Sequence, residues 1–342
     1  MKEYGIAIIG AGLMGNRRGD AIHRTGLGRI VAAADNDIFR AIAYGEKFSC
    51  SIYTDWREVL SLPFVDIAVI SVPNACSAEI IEFGLQQKKH ILCEKPLGRT
   101  AEEAHRIISA SKDTPSVIRV GFNHRFHGAL YKTKELLRES AIGDILTIRA
   151  RYGHGGRLGM EKEWRFIKNI SGGGELLDQG VHLIDLCRWY GGDFSEIFAI
   201  TEKKFWDADV EDNAFVLMKN QSVTAQFHVS VTNWKNIFSF EIFGTHGFLS
   251  IEGLGGSYGK ETLTYGKRKL EFGIPDMEVF AFDGDTSWDD EWRHFIRACN
   301  GESSDCATVY DGYAANSIVE AAYASSHTKS IQTLTYEKSI LF

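Results

Sequence analysis

Near the start of the chain an apolar run, Tyr4–Ile9, breaks on Gly10-Ala11-Gly12-Leu13-Met14-Gly15 and passes straight into a helical pattern. A strand that feeds a glycine turn and then a helix is the opening of a parallel unit, because parallel neighbours need a crossover. The pattern repeats. Apolar runs at Ile30–Ala34, Val65–Ser71, His90–Cys93 and Ser116–Phe122 alternate with helical stretches near 14–27, 38–48, 55–60, 77–88 and 100–112. Runs this apolar, spaced by helices, predict a parallel sheet covered on both faces.

After about residue 122 the texture changes. A helix at 129–139 leads to a strand at Asp144–Tyr152, a polar Gly-rich loop fills 153–174, and a helix follows at 175–190. Runs of period two at 195–203, 213–219, 222–232, 237–243 and 247–252 predict a mainly antiparallel sheet with one face buried. Segment 253–284 has no clear pattern, and helices at 286–300 and 311–328 close the chain. The expected class is α/β: a doubly wound parallel-sheet domain over 1–122 and an α+β domain over 123–342, with the last helix a candidate to pack back toward the first domain. A chain of 342 residues fits two domains at roughly 150 residues each.

Charge narrows the partners. There are 45 acidic against 38 basic side chains, a formal charge of −7, which is not the basic footprint of a nucleic-acid binder. Six cysteines, at 50, 76, 93, 187, 299 and 306, form no C-x-x-C pair and are read as reduced thiols. The N-terminus has no signal-like apolar region and no run nears the roughly 20 residues that span a bilayer, so a soluble, cytoplasmic protein without membrane contact is expected.

Gly10-Ala11-Gly12-Leu13-Met14-Gly15 fits G-x-G-x-x-G in its required context, after a strand and before a helix. Gly10 allows the tight turn, Gly12 admits the pyrophosphate, and Gly15 lets helix pack on strand. Free N–H groups at the helix start favour anions, so a net acidic chain can still hold a dinucleotide. Asp35 ends the second strand, 20 residues after Gly15. A carboxylate there takes both adenosine ribose hydroxyls and repels a 2′-phosphate, which predicts NAD over NADP. Ser71-Val72-Pro73-Asn74 ends the third strand and is expected to border the cofactor, since ligands sit at the carboxyl ends of parallel strands.

Two further segments carry chemistry. In Cys93-Glu94-Lys95-Pro96, Glu94 and Lys95 lie just past a strand end, on the ligand-binding edge, and are expected cofactor contacts. In Gly172-Gly173-Gly174-Glu175-Leu176-Leu177-Asp178-Gln179-Gly180-Val181-His182, a helix places Asp178 and His182, four apart, on one face. Taken alone, that histidine also fits a structural role. A metal is not expected, for want of a third ligand.

With the glycine fingerprint, these segments resemble the Gfo/Idh/MocA oxidoreductases, named after glucose–fructose oxidoreductase and inositol dehydrogenase. The resemblance also rests on Gly121-Phe122-Asn123-His124-Arg125-Phe126, Trp164-Arg165 and the closing Glu320-Ala321-Ala322-Tyr323-Ala324-Ser325-Ser326, and it covers essentially the whole chain. It implies an N-terminal Rossmann domain and a C-terminal domain whose open sheet forms a homodimer or homotetramer. It places the family's catalytic lysine on Lys95, its aspartate and histidine on Asp178 and His182, and Trp164 beside the nicotinamide. Two departures are His124 inside the Asn–Arg motif and Gln179 at a commonly apolar position.

The expected activity is oxidation of a secondary hydroxyl on a sugar, sugar derivative or inositol, with NAD as cofactor. His182 is the expected general acid/base, Asp178 orients it or binds substrate, and Lys95 holds the reacting oxygen. Arg125, Tyr152 and Arg165, with the neighbouring His154 and Arg157, are candidate substrate contacts; segments 153–170 and 253–284 are expected to shape the pocket. Two other functions fit the same fold: an NAD-dependent glycoside hydrolase with transient redox, and a non-catalytic NAD-sensing regulator. The intact Lys95, Asp178 and His182 set favours an enzyme.

Overall fold

The computed structural model describes residues 3–112, 114–269, 271 and 273–336. Chain contacts divide it into two units. The first takes the residues up to Asn123 and Trp288–Asn316; the second takes His124–Ser287 and the segment from Ser317.

In the first unit, β1 (Gly5–Ile9), α1 (Leu13–Thr25), β2 (Arg29–Ala34), α2 (Ile38–Phe48), β3 (Ser51–Tyr53), α3 (Trp56–Leu60), β4 (Ile67–Ile70), α4 (Asn74–Gln86), β5 (His90–Glu94), α5 (Ala101–Ser111) and β6 (Ile118–Gly121) alternate along the chain. The strands lie in the order β3-β2-β1-β4-β5-β6, all parallel. The order reverses between β1 and β4, the switch point where such sheets bind ligands. Every residue of β4 is buried, as expected of a strand covered on both faces. The short strand β3 has no counterpart in the sequence reading: three residues, none fully buried, give no periodic signal.

The first unit also takes residues from late in the chain. From Trp288 onward, the helix α9 (Ser287–Cys299) packs here: the Trp292 indole donates to the Leu27 carbonyl at 3.0 Å, and Arg24 pairs with Asp289. In α10 (Val309–Thr328), residues through Asn316 count with the first unit and those from Ser317 with the second. The division is thus not a single break near 122.

The second unit contains α6 (Gly128–Arg138), β7 (Ile145–Gly153), α7 (Lys168–Ser171), α8 (Val181–Gly191), β8 (Glu196–Glu202), β9 (Asn213–Lys219), β10 (Thr224–Ser230), β11 (Ile237–Gly244), β12 (Gly247–Glu252), β13 (Glu261–Lys267), β14 (Asp276–Phe282) and β15 (Gln332–Thr333). Its sheet runs β14-β13-β12-β11-β7-β10-β9-β8-β15, antiparallel except for the parallel pair β7 and β10. β9 shows why one face is legible: Ala214, Val216 and Met218 are buried, while Phe215 and Leu217 face outward. α8 is buried almost all round, and its charged residues are paired, Asp185 with Arg125 and Arg188 with Asp193.

Two parts of this unit differ from the sequence reading. The patternless segment 253–284 holds β13 and β14. On β13 the buried inward positions are Glu261 and Leu263, a charged residue among them, so the apolar alternation is missing, and β14 is an edge strand exposed along most of its length. Leu176–Gly180 is a π-helical turn, not the start of a regular α-helix.

Candidate active site

The glycine turn, Asp35 and the end of β4 belong to the first unit. β1 ends at Gly10, whose φ of +93° and close approach to the Ser71 carbonyl leave no room for a Cβ. A Cβ on Gly15 would run into the Gly10 carbonyl, while the space over Gly12 is open. Asn16 donates to the Ala11 and Gly12 carbonyls at 3.0 Å each, fixing the loop. α1 begins with Gly12 as its cap, with no side chain closing its first N–H groups and no acidic residue in its first turn. Those N–H groups, beginning with Leu13 and Met14, remain available to an anion.

Asp35 follows β2. Its carboxylate accepts from Ala11 N–H at 2.8 Å and from Asp37 N–H at 2.9 Å, one bond per oxygen, so each oxygen keeps a second acceptor site. At the end of β4 the buried Ser71 hydroxyl has no hydrogen-bond partner, and Val72-Pro73-Asn74 turn into α4. An open glycine, an uncapped helix start, a placed carboxylate and an orphaned hydroxyl at one switch point fit a dinucleotide.

Glu94 and Lys95 end β5. The Glu94 carboxylate accepts from Arg18 Nε at 2.7 Å, which ties β5 to α1. Arg18 is buried, also pairs with Glu291, and lies over the Trp288 ring at 4.5 Å. Burial opposes its charge, but Glu291 and Glu94 outweigh that and raise its pKa above the ordinary value. Lys95 is half-buried, and its bond to Pro96 is cis. The turn beyond is anchored by Asn316, whose amide donates to the Gly98 carbonyl at 2.8 Å and the Thr100 carbonyl at 3.1 Å.

The second unit gathers its own polar cluster. His182, on the first turn of α8, is buried, and its ring stacks on that of His124 with centroids 3.7 Å apart and an angle of 22°. Tyr152, from the end of β7, meets His182 edge-on at 6.4 Å and shares a hydroxyl hydrogen bond with Tyr258. Burial pushes the Tyr152 phenol well above its ordinary pKa, and burial with the charges of Glu175 and Asp178 pushes Tyr258 up to about 12. Both phenols are therefore protonated donors at neutral pH.

Asp178 sits on the π-helical turn, with Arg165 Nε 3.3 Å from its carboxylate. The Arg165 guanidinium lies over the half-buried Trp164 ring at 4.5 Å. His154 Nδ1 accepts from Gly156 N–H at 3.0 Å, so a neutral ring carries its proton on Nε2, which lies 3.8 Å from the Glu175 carboxylate. Burial lowers the His154 pKa, as does Arg157, and Asp178 opposes them.

The structure thus brings together Asp178, His182, Tyr152 and Arg165. Arg125 has a different setting: its buried guanidinium grips Asp185 of α8 with two bonds, of 2.7 and 2.6 Å. Arg157 pairs with Glu163. Residues that the sequence reading did not single out include Tyr258, Glu175 and Glu211; His124 stood out there only as a departure from the family motif. No group of three or more His, Cys, Asp or Glu side chains among the described residues is placed to hold a metal, and no described helix is long and apolar enough to cross a membrane.

Comparison with known proteins agrees with this architecture. The family model described as "Oxidoreductase family, NAD-binding Rossmann fold" matches residues 4–122, and the "GFO/IDH/MocA C-terminal domain" matches 130–250. A 1,5-anhydro-D-fructose reductase of Ensifer adhaerens is 32% identical over 236 residues, 67% of this chain and 69% of that protein. The chain belongs to the GFO/IDH/MocA oxidoreductase family. Its first unit is an NAD-binding Rossmann domain. A levoglucosan dehydrogenase of Pseudarthrobacter phenanthrenivorans is 32% identical over 212 residues, 58% of this chain but only 54% of that protein. A solved levoglucosan dehydrogenase, in complex with NADH and L-sorbose, superposes with a TM-score of 0.89 at 23% identity, covering 98% of this chain and 100% of that one; it shares the fold.

Proposed function

We propose that this family member transfers a hydride between NAD and a secondary hydroxyl or keto group of a sugar, sugar derivative or inositol. The observation that carries the reading is the second unit's cluster. A buried imidazole, two protonated phenols and a partly buried carboxylate paired with an arginine stand together in a chain that also has an NAD domain. Such a set moves a proton and donates hydrogen bonds to several hydroxyls, which suits a polyol. The names of relatives support the substrate class, among them an inositol 2-dehydrogenase of Rubrobacter xylanophilus and a D-glucoside 3-dehydrogenase of Escherichia coli.

Bound NAD supplies the hydride acceptor. His182 takes the hydroxyl proton, held in orientation by the stacked His124 ring. Asp178, paired with Arg165, binds a substrate hydroxyl or orients the imidazole. Lys95 stabilises negative charge on the reacting oxygen. Tyr152 donates to the Tyr258 oxygen, which leaves the Tyr258 proton for another substrate hydroxyl. We assign Arg125 a positioning role through Asp185. Gly10–Gly15, Asp35, Ser71–Asn74, Lys95 and Trp164 are the proposed cofactor contacts, with NAD preferred because Asp35 repels a 2′-phosphate. We further propose that the exposed sheet residues Ile200, Phe215 and Leu217 cover one another in a homodimer or homotetramer.

The deciding experiment screens NADH formation across inositols, free sugars, uronic acids and sugar nucleotides. At least one is expected to reduce NAD in step with its own oxidation. Glycoside cleavage without net NADH would mark a hydrolase, and NAD binding without turnover on any of them would remove the dehydrogenase reading.

A further inference from the structure

The last of the three glycines before the π-helical turn is gripped by a residue that the proposed chemistry does not use. Glu211, just before β9, is nine-tenths buried. Its carboxylate accepts from Gly174 N–H at 3.1 and 3.2 Å, from Leu176 N–H at 3.0 Å and from the Tyr323 hydroxyl at 2.8 Å. Its main-chain carbonyl accepts from Glu175 N–H at 3.1 Å. Three consecutive N–H groups at the start of the helical segment, which have no intrahelical partner, are therefore met by one residue from elsewhere in the chain. The turn has no side-chain cap of its own.

The glycines answer to the same contact. A Cβ on Gly174 would run into the Glu211 carbonyl, and one on Gly173 into the Tyr323 hydroxyl. On this side of the loop a cavity of about 440 Å³ is lined by Gly172, Gly173, Glu211 and Tyr323 among others. A π-turn carries an extra residue relative to an α-turn, so its start must be fixed for the residues beyond it to keep their direction.

We propose that Glu211, backed by Tyr323, is a positioning residue that sets the register of the π-helical turn and so aims Asp178 and His182 at the substrate. The inference rests on the reading of Asp178 and His182 as reacting groups. Glu211 touches neither substrate nor cofactor; it acts through Gly174, Glu175 and Leu176. It predicts a loss in kcat without a matching loss in cofactor binding, because the glycine turn, Asp35 and Ser71–Asn74 lie in the other unit.

The test compares Glu211→Gln, Tyr323→Phe and His182→Ala with the unaltered chain, using a polyol found to turn over. Measured quantities are kcat, KM, the NADH dissociation constant by fluorescence, and the unfolding midpoint. Glu211→Gln is expected to lower kcat about tenfold or more, as a small misplacement of reacting groups does, with NADH affinity unchanged. Tyr323→Phe, which removes one hydroxyl, is expected to lower kcat several-fold with KM little altered, and it decides the matter if Glu211→Gln does not fold. Wild-type kcat in folded Glu211→Gln or, where that variant does not fold, in Tyr323→Phe, beside an inactive His182→Ala, overturns the positioning role. Full activity in His182→Ala overturns the underlying reading instead.

Discussion

Replacing Asp35 with alanine separates two jobs that one carboxylate performs. One is internal: Oδ2 accepts from Ala11 N–H at 2.8 Å and Oδ1 from Asp37 N–H at 2.9 Å, so the change loosens the glycine loop for any dinucleotide. The other is selective. The remaining acceptor sites take ribose hydroxyls of NAD, and a hydrogen bond to a charged group contributes about 1.5–3 kcal/mol. Losing that contact raises the NAD dissociation constant at least about tenfold. For NADP the same carboxylate faces a phosphate, and repulsion at about 4 Å is worth roughly 1 kcal/mol in water and about 4 kcal/mol at an effective dielectric of 20. Because the internal loss weakens both cofactors alike, the ratio of the two dissociation constants isolates the selective part. Fluorescence titration of both cofactors into both proteins measures it. The unaltered chain is expected to favour NAD, and the preference is expected to shrink about tenfold or more in Asp35→Ala. A ratio that does not change, or tighter NADP binding by the unaltered chain, refutes the reasoning.

Other outcomes follow from the same geometry. His182→Ala is expected to lose roughly 10²- to 10⁴-fold in kcat while NADH still binds, as for removal of one acid/base group; steady-state rates with a fluorescence titration check it. Asp185→Asn leaves the buried Arg125 guanidinium without its carboxylate and is expected to cost about 3–5 kcal/mol in urea unfolding; a loss below about 1 kcal/mol would show that the pair is not needed. Two adjacent acids should have opposite pH slopes. Burial opposes ionisation of Asp212, but the Asn213 amide and the N–H groups of Phe205, Trp206 and Lys204 outweigh it and hold its pKa below the ordinary 3.8, so its stabilisation is present above that value and lost as pH falls through the folded pKa. Glu211 is pushed above 4.5 by burial despite the pull of Tyr323, so its contribution is present below 4.5 and lost as pH rises through the folded value. Thermal unfolding of Asp212→Asn and Glu211→Gln across this acid range is expected to remove one slope each.

Much of the fold was legible because burial on both faces leaves an unbroken apolar signature. β1, β2, β4, β5 and β6 each coincide with an apolar run in the sequence, and the glycine fingerprint marks the turn after β1. What escaped had weak or non-local signals. β13 hides because the charged Glu261 takes one of its inward positions, and β14 because an exposed edge strand needs no alternation. The return of α9 to the first unit rests on pairings such as Arg18 with Glu291, 273 positions apart, which no local window contains. At the site, Asp178 and His182 share a helical segment as read, but the π-turn between them depends on Glu211 and Tyr323, which are distant in sequence. The stack of His124 on His182 is likewise a tertiary contact that appeared in the sequence only as an unusual residue in a familiar motif.

The central claim is direct hydride transfer to NAD with the hydroxyl proton leaving through the second unit's cluster. A substrate deuterated on the carbon that bears the reacting hydroxyl tests it most directly, in a single turnover with the NADH recovered and analysed by mass spectrometry. The account predicts one deuterium per NADH formed, and no labelled NADH from His182→Ala within the time of one wild-type turnover. Product formed while the NADH remains unlabelled would contradict it.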